Sequence, residues 1–383
     1  MNYLAGPALV AGVYHLIALM AGLGRRLSPG STARDRRESP SYPPVSILKP
    51  VRGRGPGFYE AIRSHALIDY PQFEILFGMN QPDDPAREDV ARLAAEFPEH
   101  AIRLVVCPRK LPNGKVAVLA DLAREARYPV LVINDGDILV ERDYLRAVVP
   151  PLDAAPLDAV PQAGLSTCLY RARGATFPAR WEALGIATEF APSVLVARCI
   201  GVAEFALGST MVLRAADLAR IGGFEAIGDY LADDYQLGRR ITELGYRIVL
   251  ARAVVETRLS GETWSDVWRH QLRWARTIRV SRPSGYFGYV ITNASVWSAL
   301  AAAAGAWPVA AACLAVRMLA GVVTGVLVLG DGDVARRWFL MPLRDLWGFA
   351  VWLAGTVGST VEWQGEKLRL DKEGRIIGVS QAR

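Results

Sequence analysis

Two aspartates behind a short apolar run are the residues of this chain best suited to chemistry. Residues 130–133 are Val-Leu-Val-Ile, which predicts a strand buried on both faces, and Asp135 and Asp137 follow with one glycine between them. In an open α/β sheet, ligands bind just beyond the carboxyl ends of the strands. Two carboxylates there could bind a hard divalent cation and leave other coordination positions for water and phosphate. An Asx-rich turn without a function is the competing interpretation.

The elements before this pair alternate between strands and helices. The sequence predicts strands over 45–48, 73–79, 102–107 and 130–133, and helices over 58–68, 87–97 and 116–126. Such alternation is typical of a doubly wound α/β fold with a parallel sheet. Asp83 and Asp84 follow the second strand, so two strands end in aspartate pairs. Strand ends can meet at one edge of a sheet, and this agreement makes a functional site as well supported as a simple turn.

A third pair of aspartates lies farther along the chain. The sequence around it predicts helices over 141–149, 178–196 and 215–221, and strands over 164–170, 205–213 and 246–253. Asp233 and Asp234 stand just before an apolar-periodic segment, where an aspartate ordinarily caps a helix. One of the two could cap the helix while the other faces the site.

An apolar run at the start of the chain predicts a membrane anchor. Residues 3–23 are long enough to span a bilayer, and the positive charges follow the run, beginning at Arg25. Positive charge behind the run places the next part of the chain in the cytoplasm. We therefore predict an anchor over 1–24, a linker over 25–44 and a cytoplasmic catalytic domain over 45–282.

The C-terminal part predicts further membrane segments over 283–361 and a cytoplasmic tail over 362–383. Its apolar stretches are 286–304, 307–329 and 338–361. If the tail and the catalytic part share one side, the number of crossings is even, so two stretches cross and the third lies in the interface or re-enters the membrane. The third is predicted to be 338–361, because Arg344 and Asp345 would be costly at the middle of a bilayer.

A basic amphipathic helix is predicted over 264–279. Its apolar face carries Trp264, Trp268 and Leu272, and another face carries Arg269, Arg273 and Arg276. A basic helix with tryptophans suits a membrane interface. A solvated basic face is an equal alternative.

Composition indicates a membrane protein that does not bind nucleic acid. The 383 residues are 51% hydrophobic, and the mean hydropathy is +0.18. The net charge of +6 comes from basic residues beside apolar runs, which favours an anionic lipid surface, and zinc-finger and RNA-binding signatures are missing. Four scattered cysteines give no disulfide framework and fit a reducing compartment.

Seven short motifs occur in order between residues 45 and 279. They are Ser46-Ile-Leu-Lys-Pro50, Asp69-Tyr-Pro71, Asp83-Asp84-Pro85-Ala86, Pro112-Asn113-x-Lys115, Asp135-x-Asp137, Ala232-Asp-Asp-Tyr235 and Gln271-Leu-Arg-Trp274. With these motifs, the chain resembles the ceramide glucosyltransferase-like family (glycosyltransferase family 21), which includes bacterial hopanoid-biosynthesis glycosyltransferases. The resemblance implies a membrane-bound GT-A fold, a doubly wound, Rossmann-like mixed sheet flanked by transmembrane or interfacial helices.

The resemblance also assigns roles to matched residues. The residues that it implies for nucleotide-sugar binding are Lys49, Asp83, Asp84, Lys115, Asp135 and His270. It assigns Asp135 and Asp137 to a diphosphate-bound Mg²⁺ or Mn²⁺, and Asp234 to catalysis as the base. The last motif places Arg273 and Trp274 in the catalytic set. His270 stands where the family has Gln or Arg, although an imidazole can still donate a hydrogen bond to a phosphate.

The chemistry of sugar transfer agrees with these roles. Negative charge grows on the leaving diphosphate, where a cation on Asp137 and the guanidinium of Arg273 would stabilise it. A carboxylate such as Asp234 can take the proton of the acceptor hydroxyl. A single displacement inverts the anomeric centre, and no Ser-His or Cys-His signature indicates a covalent nucleophile.

The sequence therefore predicts a metal-dependent transferase that moves a hexose from a UDP-sugar to a lipid hydroxyl. The predicted location is the cell (inner) membrane, with several crossings and a cytoplasmic catalytic domain. A composition rich in alanine and arginine favours a hopanoid polyol with N-acetylglucosamine, and ceramide with glucose is the alternative pair. A processive polysaccharide synthase would need more spanning helices. A non-catalytic nucleotide-sugar-binding scaffold would have no use for Asp234 and Arg273.

Overall fold

The structure is a computed structural model that describes residues 5–27, 42–152, 161–259, 263–363 and 365–381. Its α-helices are α1 Gly6–Leu27, α2 Phe58–Ala66, α3 Ala86–Glu96, α4 Gly114–Glu125, α5 Tyr144–Val148, α6 Phe177–Gly185, α7 Ala191–Cys199, α8 Ala215–Arg220, α9 Asp233–Glu243, α10 Trp264–Ser281, α11 Pro283–Gly288, α12 Ala294–Ala303, α13 Trp307–Val322, α14 Gly332–Arg337 and α15 Met341–Gly355. Its strands are β1 Val45–Pro50, β2 Phe73–Met79, β3 Ala101–Val106, β4 Val130–Ile133, β5 Ile138–Leu139, β6 Ala163–Gly174, β7 Met211–Arg214, β8 Arg247–Leu259, β9 Thr360–Trp363, β10 Glu366–Leu370 and β11 Ile376–Gln381. Two π-helical segments are Ile186–Phe190 and Val323–Val328.

The chain divides into two compact units. The α/β unit comprises residues 29–170 and 203–258. The helical unit comprises residues 1–28, 171–202 and 259–383. The predicted catalytic domain over 45–282 therefore contributes two segments, α6–α7 and α10, to the helical unit.

The α/β unit is built on an eight-stranded mixed sheet in the order β3-β2-β1-β4-β7-β6-β8-β5. Strands β3, β2, β1 and β4 run parallel, as the alternation of strands and helices predicted. Strand β7 then pairs antiparallel with β4, and β6 pairs antiparallel with β7. The doubly wound α/β prediction is confirmed, and the antiparallel half makes the sheet mixed.

Apolar side chains cover both faces of this sheet. Neighbouring residues of a strand point to opposite faces, so Ile47 and Val132 join one buried cluster, whereas Leu48 and Leu131 join the other. Helices α2 and α3 pack on the first face, and α4 packs on the second. Burial on both faces explains why β4 consists of four apolar residues in succession.

The helical unit contains two helices long and apolar enough to cross a membrane by length and composition. Among the described residues, they are Gly6–Leu27, which is α1, and Trp307–Val328, which joins α13 to the π-helical segment behind it. Large apolar side chains on these helices and on α15 are exposed, and they include Leu9, Val10, Val13, Met20, Leu319, Leu327, Leu343, Leu346 and Leu353. Exposed apolar surface on several helices of one unit is typical of contact with lipid or with another apolar surface.

The basic helix and the tail make contacts that the sequence did not indicate. Arg276 of α10 donates to the backbone carbonyls of Val357 and Thr360, and Arg279 donates to that of Gly358. Part of the basic face therefore holds a neighbouring segment of the same unit. The predicted tail belongs largely to a three-stranded antiparallel sheet in the order β11-β10-β9.

A buried ion pair joins α13 to α15 inside the helical unit. Nη2 of Arg317 lies 2.7 Å from Oδ1 of Asp345, Nε lies 3.2 Å from Oδ2, and both side chains are at most 2% exposed. The hydroxyl of Ser295 on α12 donates to the same carboxylate at 2.7 Å. Protein groups thus neutralise the charge of Asp345, which weakens the reason for placing 338–361 flat on the membrane. Its orientation stays a prediction.

We predict that Asp345→Leu lowers the free energy of unfolding by about 3–5 kcal/mol, because it leaves the Arg317 guanidinium buried without a countercharge. Thermal and denaturant unfolding of the purified protein measure this loss. The double variant Arg317→Met/Asp345→Leu removes both charges and should recover most of the stability. A single variant as stable as the wild type would contradict the importance of this pair.

Candidate active site

The loop after β4 is fixed in place by a buried asparagine. Asn134 is fully buried, and its Nδ2 donates to the Ser209 carbonyl at 2.8 Å, to Oη of Tyr144 at 2.9 Å and to Oγ1 of Thr210 at 3.2 Å. These bonds connect the end of β4 to the segment that leads into β7. The backbone that carries Asp135 therefore leaves the sheet in a defined direction.

Lys115 joins two of the aspartate motifs. Its Nζ lies 2.7 Å from Oδ1 of Asp135 and 3.1 Å from Oδ2 of Asp233. The side chain of Asn113 caps α4 by accepting from the backbone N–H groups of Lys115 and Val116, which fixes the start of the helix that carries the lysine. Burial disfavours the ammonium, but Asp135 and Asp233 more than offset it and raise the pKa of Lys115.

The second aspartate after β4 is held by a threonine of β8. Oγ1 of Thr257 donates to Oδ2 of Asp137 at 2.6 Å. Burial raises the pKa of the Asp137 carboxyl, and the negative charge of Asp135 raises it further. A cation placed beside the two carboxylates would relieve that repulsion, so their chemistry fits a divalent metal ion.

The described residues contain no group of three or more His, Cys, Asp or Glu side chains arranged to hold a metal ion. A cation held by Asp135 and Asp137 would thus need further ligands from water or substrate. Mg²⁺ is commonly bound in this way, through one or two carboxylates together with substrate phosphates. The pair fits a metal that arrives with a diphosphate better than a permanent structural metal.

Asp234 lies in the first turn of α9, next to Asp233. Its Oδ2 accepts from the backbone N–H of Gly208 at 3.0 Å, and its Oδ1 accepts from that of Tyr235 at 2.8 Å. A Cβ atom at Gly208 would lie 3.3 Å from Oδ2, so glycine lets the backbone approach the carboxylate. Burial raises the pKa of Asp234 to about 6, and the charge of Asp233 adds to the effect.

The predicted capping role of the third aspartate pair is wrong. Helix α9 begins after Ala232, which makes no side-chain capping bond. Asp233 pairs instead with Lys115, and Asp234 accepts backbone N–H groups of the loop and of the helix itself. Both carboxylates therefore belong to the site.

Two residues predicted to bind the nucleotide hold the protein backbone instead. Lys49 is fully buried, and its Nζ donates to the Asp135 carbonyl at 3.0 Å, beneath the loop. Asp84 is 6% exposed, and its carboxylate accepts from the backbone N–H groups of Gly53 and Ala86. Both side chains are thus engaged by the protein backbone, whereas the neighbouring Asp83 is exposed, and their role in nucleotide binding stays a prediction.

Burial disfavours the charged form of Lys49, and neighbouring groups partly offset this effect. Burial lowers the pKa of its ammonium to about 7, and the charges of Asp137 and Asp135 counteract part of that shift. Nε2 of His65 lies 3.3 Å away and is the second neighbour of the ammonium. Lys49 is therefore a support for the aspartate loop, a role that the sequence motif did not reveal.

The last motif lies on α10 in the helical unit. Nδ1 of His270 contacts Oε1 of Glu182, and the ring centroids of His270 and Trp274 are 4.6 Å apart. The ring of Trp274 also packs against Phe190, with centroids 5.9 Å apart. Arg273 occupies the same helix, and its carbonyl accepts from Oγ1 of Thr277.

The α/β unit thus brings together Lys115, Asp135 and Asp233 directly, with Asp234 beside them. Sequence reasoning missed four residues that position this group, namely Asn134, Thr257, Gly208 and Tyr144. The arrangement offers two carboxylates for a cation and a further carboxylate of raised pKa that can accept a proton near neutral pH. Such a set suits transfer from a diphosphate donor to a hydroxyl acceptor.

The sequence matches one protein family and is similar to several known proteins. The model of the family described as Glycosyl transferase family 21 matches residues 4–376. Ceramide glucosyltransferase 3 of Caenorhabditis elegans is 26% identical over 63% of this chain, and Ceramide glucosyltransferase 1 of the same organism is 27% identical over 55%. These matches span 51% and 45% of the two relatives, so the chain covers about half of their length.

A solved structure supports the fold. The mannosyltransferase PcManGT from Pyrobaculum calidifontis, in complex with GDP-Man and Mn²⁺, is similar with a TM-score of 0.52 and 21% identity. The match covers 92% of this chain and 97% of that chain. This likeness confirms a GT-A-like architecture, and the family match over nearly the whole chain confirms the resemblance noted in the motifs. The chain belongs to glycosyl transferase family 21.

Proposed function

We propose that this protein is an inverting, metal-dependent glycosyltransferase that moves a hexose from a UDP-sugar to a hydroxyl group of a membrane lipid. The observation that carries the proposal is the contact of Lys115 with both Asp135 and Asp233. It connects the aspartate loop assigned to metal binding with the motif assigned to the base. The names of the relatives, ceramide glucosyltransferases, support a lipid acceptor.

Asp135 and Asp137 are the residues that would hold the cation. A bound Mg²⁺ or Mn²⁺ would supply positive charge to the leaving diphosphate. The hydroxyl of Thr257 orients Asp137 for this task, and Lys115 keeps Asp135 from turning away. We assign Arg273 and His270 to phosphate oxygens, since guanidinium and imidazole groups both donate to such anions.

Asp234 is the proposed general base. Its raised pKa makes it a stronger base than an ordinary aspartate, and yet it is ionised at neutral pH. The backbone N–H of Gly208 fixes one carboxylate oxygen, so the proton acceptor has a defined orientation. A single displacement by the activated hydroxyl would convert an α-linked donor into a β-glycoside.

We further propose that the helical unit is embedded in the cell (inner) membrane, with several crossings and the α/β unit in the cytoplasm. Exposed apolar side chains on α1, α13 and α15 support contact with lipid. The arginines at the C-terminal end of α1, Arg25 and Arg26, support a cytoplasmic position for the chain behind it. A hopanoid polyol with N-acetylglucosamine is the favoured substrate pair, and ceramide with glucose is the second.

The direct test offers purified protein in lipid nanodiscs a panel of UDP-sugars together with hopanoid and ceramide acceptors. Mass spectrometry of the product identifies the sugar and the lipid and counts the sugars added. A single hexose on a lipid supports the proposal. A polymer would indicate a processive synthase, and UDP binding without any transfer would indicate a scaffold.

We predict that Asp234→Asn lowers kcat by about 10²–10⁴-fold, because the amide cannot take the proton of the acceptor hydroxyl. Titration calorimetry should show an affinity for UDP within about twofold of the wild type. Thermal unfolding should show a melting temperature close to that of the wild type. Asp143→Asn is the matched control, since it changes an exposed aspartate of the α/β unit that lies outside the Lys115 network and has no predicted role in the site. Unchanged turnover in Asp234→Asn would remove the assignment of the base.

The raised pKa of Asp234 predicts how the rate of the reaction depends on pH. With the pKa of Asp234 raised to about 6, the base is mostly protonated below that pH, so kcat/KM should rise with pH, pass its midpoint near pH 6 and level off above about pH 7. Initial rates at saturating metal concentration between about pH 4.5 and 8 give the profile. A midpoint near 4, the value of an ordinary aspartate, would contradict the raised pKa.

We predict that Thr257→Val weakens Mn²⁺ binding by roughly tenfold, because Asp137 loses the hydroxyl that orients it. Calorimetric titration of Mn²⁺ in the presence of UDP measures the change independently of turnover. Thr257→Ser keeps the hydroxyl and serves as the control, with affinity close to that of the wild type. Equal affinities for all three proteins would show that this hydrogen bond does not support a metal site.

A further inference from the structure

A buried threonine of β6 holds a turn of the α/β unit that none of the sequence motifs contains. Thr167 is 1% exposed. Its Oγ1 accepts from the backbone N–H of Leu207 at 3.0 Å and donates to the carbonyl of Thr210 at 2.7 Å. The N–H of Thr210 donates to the Leu207 carbonyl at 3.1 Å, which closes the turn over residues 207–210. One hydroxyl therefore bonds to both ends of this turn.

Packing alone does not explain a threonine at this position. Thr167 pairs with Met211 across β6 and β7, so it stands beside the beginning of β7. A valine of similar shape would fill the same space. It would, however, remove the hydroxyl that bonds to Leu207 and Thr210, and a buried backbone group without a partner is destabilising. The hydroxyl is thus required for the shape of the turn.

A second side chain holds the same turn from the loop after β4. Nδ2 of Asn134 donates to the carbonyl of Ser209 at 2.8 Å and to Oγ1 of Thr210 at 3.2 Å. The hydroxyl of Tyr144 also donates to Oγ1 of Thr210, at 3.1 Å. Side chains from β6, α5 and the aspartate loop therefore fix the turn together, and a turn held from several sides has one defined position.

The turn presents one backbone N–H to the proposed base. The N–H of Gly208 donates to Oδ2 of Asp234 at 3.0 Å. Burial raises the pKa of the Asp234 carboxyl, and the N–H groups of Tyr235 and Gly208 oppose part of that rise because they stabilise the carboxylate. The turn therefore influences both the direction and the basicity of this carboxylate, and Thr167 lies one contact behind it.

The charged groups that act on Asp234 do not include Thr167. They are Asp233, which raises the pKa of Asp234, and Lys115, which lowers it. Lys115 is held by the cap of α4, and Asp233 lies in the first turn of α9. A neutral change at Thr167 leaves both charges in place, so it tests the turn without altering the nearby electrostatics.

We infer that Thr167 is a positioning residue, which fixes the turn over residues 207–210 so that the Gly208 N–H orients the carboxylate of Asp234. The inference rests on the proposed function only for the role of Asp234 as the base. It adds a residue 67 positions before the aspartate that it serves, on a strand that contributes no side chain to the site.

The first test measures the protonation of Asp234 without turnover. In pH-difference infrared spectra of the purified protein, the carboxyl band of Asp234 is identified by its loss in Asp234→Asn. We expect Thr167→Val to raise the pKa of Asp234 by about one unit, because the carboxylate loses a well-aligned hydrogen bond. Thr167→Ser keeps the hydroxyl and should leave that pKa unchanged.

The second test is a double-mutant cycle on turnover. At about pH 8 the base is ionised in each protein that keeps it, so a loss there reports its orientation. We expect Thr167→Val to lower kcat by roughly tenfold, since the base is displaced from the acceptor hydroxyl. In the Asp234→Asn background the same substitution should change kcat by less than about twofold.

Thr188→Val is the matched control. Thr188 belongs to the helical unit, is 1% exposed, and its Oγ1 donates to the Leu184 carbonyl at 2.8 Å. The variant loses a buried threonine hydroxyl away from the turn, and the pKa of Asp234 should stay unchanged. If Thr167→Val does not fold, Thr167→Cys keeps a weak donor and acceptor and should give a smaller rise in that pKa.

Two results would overturn the inference: an unchanged pKa of Asp234 in Thr167→Val, or an equal loss of kcat in both backgrounds. The second result would mean that Thr167 acts on general stability and not through Asp234. Wild-type protein that transfers no sugar would refute the proposed function. The infrared titration would then still decide whether Thr167 orients this carboxylate.

Discussion

The contact of one lysine with two carboxylates is the interaction on which the α/β unit depends most. Asp135 and Asp233 come from segments about a hundred residues apart, and without Lys115 between them their charges would repel. The lysine stands in the first turn of α4, where the cap formed by Asn113 fixes it. An ordinary helix cap thereby determines how far apart two acidic motifs lie.

Much of this architecture could be read from local patterns. Strands β1 to β4 were predicted within a few residues of their observed bounds, because residues buried on both faces leave uninterrupted apolar runs. The end of the apolar run of β4 also correctly placed Asp135 and Asp137 just beyond the end of a strand. The spacing of the aspartates also indicated a site, although it did not reveal that Lys49 and Asp84 are buried and hold the protein backbone.

The parts that could not be predicted depend on contacts between distant segments. Thr257 reaches Asp137 across 120 residues, and Glu182 reaches His270 across 88. Local sequence periodicity cannot predict these two contacts. The first follows from the pairing of β5 with β8, and the second follows from the packing of α6 on α10. The contacts of the basic face of α10 could not be foreseen for a similar reason, because the carbonyl groups that Arg276 binds belong to a segment about eighty residues later.

The ion pair between α13 and α15 has a consequence for biosynthesis, given a helical unit that lies in the membrane. Arg317 leaves the ribosome 28 residues before Asp345, so during synthesis α13 carries an uncompensated charge. Inserting that helix alone would be unfavourable, and its partner removes most of the penalty. The charge of Arg317 is therefore neutralised only after α15 has been made, so α13 should reach its final packing late, once residues as far as Asp345 are present.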